Sequence, residues 1–432
     1  MAMKDDMTAL RNHVEAAARA GGIAHALPLL DDAVAASPEN AEIRLLRAMA
    51  LLSAHHYSPA IEDLDRVLEI DPGADAVRFQ RALALFGQER LGEALEDFLL
   101  LSRKRPGTVE PWANAGVILL RMDRFAEAVP LLREATRLSP HHVPLRRSMA
   151  NALSGAGVVD EAIHLYESVI LATPNDPAAL TDYAMALLGI GKPEAAHAHL
   201  LTARKIDPSD QTALAGLYLS ANELGLHDIV DVLIDYPRLL SISTRPPSAE
   251  LDHGALRDAV LAHPGLVWQP AGRSTHLGLQ SPMLDLSPGS PFAQFGRLIE
   301  QVVDDRLTAL RDDPTLRTHP WAGALPTRWH LQAWCTVLNS GGRQTPHIHP
   351  SGRLSGVYYL DTGNASRTDA GTLMFGIPPG SVAAMAPPRL HAVVPENDWI
   401  CCFPSYFFHH TEPFHGVAGP RISLAFDVIP GP

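Results

Sequence analysis

The hydrophobic pattern divides the chain into two regions with different periods. In the first half, apolar residues recur every three or four positions, which is the spacing of one helix face. Residues 41–74 show two such stripes in succession: Leu45, Ala48, Met49 and Leu52, then Ala60, Leu64, Val67 and Leu68. After residue 327 the apolar runs are short, rich in valine, tyrosine, phenylalanine and isoleucine, and separated by glycine, proline and asparagine. The pattern therefore predicts paired helices followed by a domain of short strands.

Three series of residues repeat at the same interval of 34 positions in the helical half. They are the prolines Pro38, Pro72, Pro106, Pro140, Pro174 and Pro208, the alanines Ala26, Ala60, Ala94, Ala128, Ala162 and Ala196, and the mostly small residues Val14, Ala48, Ala82, Gly116, Ala150 and Ala184. Small residues let two helices approach closely, and a proline ends each repeat because it cannot continue a helix. Such a repeat resembles the tetratricopeptide repeat. Six repeats are clear, and residues 211–235 are typical of a degraded capping repeat, with Tyr218 at a small-residue position.

This resemblance implies a right-handed superhelix whose concave groove binds a peptide or partner protein. The alternative is a spacer or an oligomerisation module. The oligomeric state itself stays open.

The domain boundaries follow from the change of pattern. The predicted domains are residues 1–240 for the repeats, 241–265 for a linker and connecting helix, and 266–432 for the strand-rich domain. The linker begins in 235–248, where prolines interrupt the helical period. A helix over 249–262, capped by Ser248, and an amphipathic helix over 291–312 precede the strands. We predict a multidomain chain: an all-α repeat superhelix, then a double-stranded β-helix of the jelly-roll type with supporting helices.

Composition limits the classes of partner and compartment. The 432 residues include 35 basic and 48 acidic ones, and the resulting charge of −13 argues against nucleic acid or an anionic membrane as the main partner. The three cysteines make no disulfide framework, which favours a reducing compartment. The sequence shows no signal-peptide pattern and no apolar run of the roughly 20 residues that a membrane span needs. We expect a cytoplasmic location.

A cluster of histidines near the C-terminus predicts a metal site. His347 and His349 stand two apart on a predicted strand, so both side chains share one face and can reach one ion. His409 and Arg421 follow far along the chain, about a strand apart from each other. One histidine on a strand is usually structural, but this pair with the downstream motifs favours a metal. Three protein ligands would leave positions on an iron open for substrate.

Three ordered motifs then identify a family resemblance. PHIHPSGRLSGVYYL, FPSYFFHHTEPF and GPRISLAFDV resemble a bacterial group of Fe(II)- and 2-oxoglutarate-dependent oxygenases, distantly similar to prolyl hydroxylases, over about residues 268–429. The resemblance implies Fe(II) held by His347, His349 and His409. It also implies a clamp for the distal carboxylate of 2-oxoglutarate, made by Arg421, Ser423 and Tyr359, with Tyr358 facing the other side.

The implied activity is hydroxylation of a substrate, in which dioxygen is consumed and 2-oxoglutarate becomes succinate and carbon dioxide. A peptide or protein recruited by the repeat domain is the expected substrate. A small metabolite as substrate, and demethylation or desaturation as the reaction, stay open. The chain departs from the superfamily at His349, where most members have an aspartate or glutamate. Asp361 is an alternative acid, and His410 is a rival of His409.

Two other functions are consistent with the residues. A cupin-type dioxygenase or zinc site would need no 2-oxoglutarate, but the glutamate expected after the His-x-His pair is replaced by residues 351–354, and Arg421 would have no role. Alternatively, the repeats carry the function as an interaction scaffold and the oxygenase domain is vestigial. The presence of both His409 and Arg421 argues against such decay.

Overall fold

The computed structural model describes residues 2–245, 250–363, 371–380, 386–415 and 419–431. It divides into two compact units, an N-terminal unit of residues 1–156 and a C-terminal unit of residues 157–432. The predicted boundaries at residues 240 and 265 remain predictions. Ser248, the predicted helix cap, lies outside the described residues.

The N-terminal unit consists of consecutive helices that pack in pairs. Their bounds are α1 Ala2–Gly21, α2 Ile23–Ala36, α3 Ala41–Ser53, α4 Tyr57–Ile70, α5 Asp75–Gly87, α6 Leu91–Lys104, α7 Val109–Arg121, α8 Phe125–Leu138 and α9 Val143–Gly155. Helix α3 begins where the side chain of Asn40 accepts hydrogen bonds from two backbone N–H groups. Helix α4 begins at Tyr57, and its N-cap residue His56 makes no side-chain capping hydrogen bond.

The repeated small residues lie where two helices touch. Ala48, Ala60, Ala82 and Ala94 are fully buried. At Gly116, an added Cβ would lie 2.5 Å from Cγ of Leu132, closer than carbon atoms can approach. The 34-residue period therefore records a steric requirement at each helix contact.

Ion pairs with arginines at a constant spacing link the helices of this unit. Arg47 contacts Asp63, sixteen residues later, and Asp31, sixteen residues earlier. Arg81 makes the equivalent contacts with Asp97 and Asp65. Asp63 is fully buried. The hydrogen bond with Asp97 raises the pKa of Arg81 above its usual value.

The C-terminal unit contains further helices and a curled antiparallel sheet. The helices are α10 Val159–Ala172, α11 Pro177–Gly189, α12 Pro193–Ile206, α13 Gln211–Glu223, α14 His227–Leu233, α15 Tyr236–Leu239, α16 His253–Leu261 and α17 Ala293–Asp312, with 3-10 turns at Pro314–Leu316 and Ala322–Ala324. The strands are β1 Ser241–Thr244, β2 Val267–Trp268, β3 Thr275–Gln280, β4 Trp329–His347, β5 Leu354–Asp361, β6 Leu373–Phe375, β7 His391–Val393, β8 Trp399–Pro404, β9 His409–Thr411 and β10 Arg421–Pro430.

The long strand β4 connects the two parts of the sheet. The strand order is β1-β8-β5-β10-β4-β9-β6-β7, and β3, with β2 at its edge, pairs with β4 as well. The first half of β4 pairs with β10, whereas its end pairs with β9. Tetratricopeptide-type helices followed by a jelly-roll-type sheet confirm the predicted fold class.

Two segments of this unit differ in detail from the sequence-based expectation. Within the stretch predicted as a linker, residues 241–244 form β1, which pairs with β8 at the sheet edge. Helix α16 begins at His253 and is capped by Asp252, whose carboxylate accepts from the N–H of Ala255. The four residues of β1 are too few and too polar to show an alternating pattern that would predict a strand.

The repeat-type helices of the C-terminal unit hydrogen-bond to the sheet domain. The Tyr406 hydroxyl donates to the carbonyl of Leu233 at 2.5 Å, although both groups lie in the interior. The hydroxyl of Tyr218 accepts a hydrogen bond from the backbone N–H of Arg389 at 3.0 Å. Tyr218 therefore replaces a small residue because its ring extends to the neighbouring loop.

We expect Tyr406→Phe to lower the free energy of unfolding by about 1–3 kcal/mol, because the Leu233 carbonyl loses its donor while it stays buried. Urea denaturation followed by tryptophan fluorescence is the measurement, since five of the six tryptophans lie beyond residue 157. Tyr57→Phe is the control, because its hydroxyl contacts His55 in an exposed position. Equal midpoints for the two variants would contradict a supporting role for this bond.

Candidate metal centre and co-substrate pocket

Three imidazole rings converge at the end of β4. His347 ends this strand and is the direct cross-strand partner of His409 at the start of β9. His349 follows two residues later. One ligand nitrogen from each ring lies within 4.8 Å of the other two. The ring centroids of His347 and His409 are 4.3 Å apart, and those of His349 and His409 are 5.0 Å apart.

The hydrogen bonds of the rings determine which nitrogen is available. Nδ1 of His347 lies 2.7 Å from the carbonyl oxygen of Thr345, and Nδ1 of His409 lies 2.9 Å from that of Phe407. A carbonyl oxygen can only accept, so each Nδ1 carries the proton and each Nε2 keeps its lone pair. Nδ1 of His349 lies 2.6 Å from Oδ1 of Asp427, which is also an acceptor when ionised. All three rings can thus offer Nε2 to one ion.

Burial keeps two of these rings neutral. It lowers the pKa of His347 to about 3, and the neighbouring His349 adds to this effect. Burial, reinforced by His347 and His349, lowers the pKa of His409 well below its usual range. Neutral imidazole is the form that binds metal, and it suits iron among other transition metals. The donor set therefore fits a ferrous ion.

The alternative ligands considered from the sequence lie apart from this cluster. Asp361 accepts from the backbone N–H of Gly363 at 2.8 Å and lies 3.3 Å from Nε of Arg257. His410 faces away from His409, as adjacent strand residues do, and its Nε2 lies 3.0 Å from a carboxylate oxygen of Glu412. Within the described part of the chain, the potential metal ligands that cluster are the three predicted histidines.

The predicted co-substrate clamp opens into the same cavity as the histidines. Arg421, Ser423 and Tyr359 all line it. Arg421 is 2% exposed, donates to the carbonyl of Gly371, and its guanidinium carbon lies 5.0 Å from the centroid of the Tyr359 ring. Burial lowers the pKa of Arg421 and raises that of Tyr359. A buried guanidinium is a suitable partner for a carboxylate ligand.

Strand register explains why these side chains meet. Ser423 pairs with Thr336 on one side and with Tyr359 on the other, so the three residues form one row across β4, β10 and β5. Tyr358 points to the opposite face, as predicted, and donates to Asp398 at 2.7 Å. Sequence reasoning missed Thr336. Its hydroxyl is buried in the cavity wall, with no hydrogen-bond partner among the described residues.

Asp427 is the second residue that the sequence reasoning missed. It lies on β10 in the same alternation as Arg421 and Ser423, and it binds His349. A charged residue within the apolar run RISLAFDVIP, in phase with two predicted site residues, was the available signal.

The glycine in SGVYYL is required by close packing. A Cβ on Gly356 would lie 2.2 Å from the Phe426 ring and 2.8 Å from the carbonyl oxygen of Cys401. Because the backbone oxygen cannot move aside, only glycine fits between β8 and β10 at this position.

Repeat-type helices and a sheet that brings three histidines and a buried arginine to one cavity define a repeat protein with a candidate metal-binding domain. Comparison with protein families agrees. Residues 332–427 match the family described as "Putative 2OG-Fe(II) oxygenase". Tetratricopeptide repeat models match residues 17–85, 79–143, 119–177 and 153–220. The chain is thus a fusion of tetratricopeptide repeats with a domain of that oxygenase family.

Solved structures similar to the chain include other repeat proteins. YrrB, whose structure is described as a TPR protein with an unusual peptide-binding site, is 22% identical, covers 43% of this chain and 95% of its own, and has a TM-score of 0.38. A tetratricopeptide repeat protein from Parabacteroides merdae is 17% identical, with coverages of 51% and 86% and a TM-score of 0.43. PilF of Pseudomonas aeruginosa is 18% identical, with coverages of 49% and 97% and a TM-score of 0.40. No curated protein matches the chain.

The cysteines Cys335, Cys401 and Cys402 are buried and unpaired with one another. Among the described residues, no helix combines the length and apolar character needed to cross a membrane.

Proposed function

We propose that the protein is an Fe(II)- and 2-oxoglutarate-dependent oxygenase that hydroxylates a peptide or protein substrate. The observation that carries the proposal is the shared cavity: three imidazole nitrogens and a buried guanidinium line the same space. A metal site alone would not require the arginine, and a carboxylate-binding pocket alone would not require the histidines.

In this proposal one group of residues binds the iron and another group orients 2-oxoglutarate. His347, His349 and His409 hold the iron, which would supply dioxygen activation coupled to conversion of 2-oxoglutarate into succinate and carbon dioxide. Arg421 forms two parallel hydrogen bonds with the distal carboxylate of 2-oxoglutarate and so fixes its direction. The hydroxyls of Ser423 and Tyr359 donate to the same carboxylate.

The cavity wall also limits water around the reacting groups. Leu373 and Phe403 line it on the side of His409, and the Phe403 and His409 ring centroids are 4.7 Å apart. Trp334 packs against His349 with centroids 5.5 Å apart. Such apolar walls strengthen the interaction between the buried arginine and a bound carboxylate.

The repeats support a macromolecular substrate. Tetratricopeptide-type helix pairs stack into extended surfaces that bind peptides and proteins in general. We therefore propose that the repeats recruit the peptide or protein that the oxygenase domain hydroxylates.

The deciding experiment is succinate formation from 2-oxoglutarate by the full chain under air, with and without added Fe(II), together with mass spectrometry of a host lysate. The proposal requires iron-dependent succinate release and a gain of one oxygen in a protein or peptide. Dioxygen uptake without 2-oxoglutarate would instead indicate a cupin-type enzyme. Partner binding without turnover under any condition would indicate a scaffold.

The unpartnered hydroxyl of Thr336 leads to a specific prediction for co-substrate binding. Thr336→Val should raise the KM for 2-oxoglutarate roughly 3- to 10-fold, because one hydrogen bond to the carboxylate is lost. The same change should leave the ligand-free protein equally or more stable, because a buried unpaired hydroxyl is replaced by a methyl group.

Thr181→Val is the matched control for that prediction. The Thr181 hydroxyl is also buried but donates to Asp210 at 2.8 Å, so its loss should lower stability and leave the KM unchanged. Enzyme assays and thermal unfolding of both variants test the pair. An unchanged KM in Thr336→Val would remove Thr336 from the pocket's binding groups.

A further inference from the structure

We propose that Asp427 acts through His349 as the negative charge of the metal centre, in place of a carboxylate ligand. This inference rests on the proposed function only in requiring a divalent metal at the three histidines. Asp427 is then a positioning residue, since it contacts a ligand and not the metal.

The three histidines differ in the group that accepts the hydrogen bond from Nδ1–H. His347 and His409 donate Nδ1–H to backbone carbonyls, which are neutral. His349 donates to a carboxylate at 2.6 Å. The one ring with a charged partner thus occupies the position at which the sequence resemblance led us to expect an acid. A carboxylate behind an imidazole fixes the ring and makes its other nitrogen a stronger donor.

The Asp427 carboxylate is itself held firmly. It is 8% exposed, and Oδ1 accepts a hydrogen bond from the Ser355 hydroxyl at 2.6 Å. Oγ of Ser355 lies 2.8 Å from Oγ of Ser405, and the Ser405 carbonyl accepts from the backbone N–H of His349 at 2.9 Å. Side chain and backbone of His349 are therefore tied to one network spanning β5, β10 and the end of β8.

Close packing leaves little freedom around this network. A Cβ on Gly352 would lie 2.7 Å from Oγ of Ser405 and 3.2 Å from Cγ of Asp427. A residue that only filled space here could be apolar. A buried charge is costly unless it has partners, and a metal cation beyond His349 would give Asp427 a countercharge.

The first test compares Asp427→Asn with Ser355→Ala in the full chain. Asparagine keeps the shape and still accepts from His349 but removes the charge, so the dissociation constant for Co(II), followed by its visible absorption, should rise about 10- to 100-fold. Ser355→Ala loosens the carboxylate without removing charge, and we expect a rise below roughly 3-fold, the scale of a weakened hydrogen bond. Equal effects of the two variants, or no effect of Asp427→Asn, would overturn the proposal.

The second test exchanges the position of the charge. In a His349→Asp background a carboxylate ligand supplies the negative charge itself, and no imidazole remains for Asp427 to act through. Adding Asp427→Asn should then weaken Co(II) binding by less than about 3-fold, against about 10- to 100-fold in the native background. An equal loss in both backgrounds would indicate a purely structural role and would refute the proposal.

These outcomes separate this inference from the proposed function. If the unaltered chain bound no Co(II) or Fe(II), the metal centre itself would fail. If it bound metal and converted 2-oxoglutarate while Asp427→Asn bound metal equally well, only the role of Asp427 would fail. Thermal unfolding without metal checks that each variant is folded.

Discussion

His409→Ala should reduce 2-oxoglutarate turnover to background, because the substitution removes one of three metal-binding nitrogens. Loss of a residue that only supports a ligand costs about 10- to 100-fold in metal affinity, so loss of a ligand should cost more than about 100-fold. Equilibrium dialysis with Fe(II) without oxygen, followed by a succinate assay at saturating 2-oxoglutarate, measures both quantities.

The neighbouring histidine provides the control for this substitution. His410 is also buried but faces Glu412, so His410→Gln should keep both metal binding and turnover close to the native values. The two residues are consecutive in β9, and their rings occupy opposite faces of the strand. Turnover that survived in His409→Ala but not in His410→Gln would reverse the assignment of the distal ligand.

Arg421→Ala should raise the KM for 2-oxoglutarate by roughly 30-fold to several thousand-fold, equivalent to the 2–5 kcal/mol lost when a buried charge pair is truncated. Fe(II) affinity should stay near the native value, because the guanidinium is proposed to bind the co-substrate and not the metal. Initial rates over a range of 2-oxoglutarate concentrations, together with metal dialysis, test the two expectations separately.

Arg421→Lys refines the test of the clamp. Lysine keeps the charge but cannot form two parallel hydrogen bonds, so its KM should lie between those of the native protein and Arg421→Ala. Metal-dependent dioxygen uptake that was equal in all three proteins would exclude a 2-oxoglutarate clamp at this position. It would also favour a dioxygenase that needs no 2-oxoglutarate.

The sequence predicted the features that depend on short-range periodicity. The 34-residue series predicted the helix pairs, because each small residue lies at a steric contact, as at Ala48 and Ala60. Alternation along strands predicted that His347 and His349 share a face and that Tyr358 and Tyr359 do not. These predictions need only local geometry.

Features that depend on strand order were not predictable from one sequence. Thr336 joins Ser423 only because β4 lies beside β10 in a defined register, although the two residues are far apart along the chain. Asp427 was missed for a related reason: its position on a common face was visible, but its partner on another segment was not. Residues 241–244 became a strand only through pairing with β8.

The regularly spaced ion pairs in the N-terminal unit have a consequence for how such a chain can change during evolution. Arg47 and Arg81 each reach an aspartate sixteen residues away in both directions, so equivalent partners recur at one fixed interval. Duplication or loss of a whole 34-residue segment would leave each arginine beside an equivalent aspartate. An insertion of any other length between these partners would strand a buried carboxylate without its cation, which costs several kcal/mol. Descendants should therefore vary in the number of repeats more readily than in the length of any one of them.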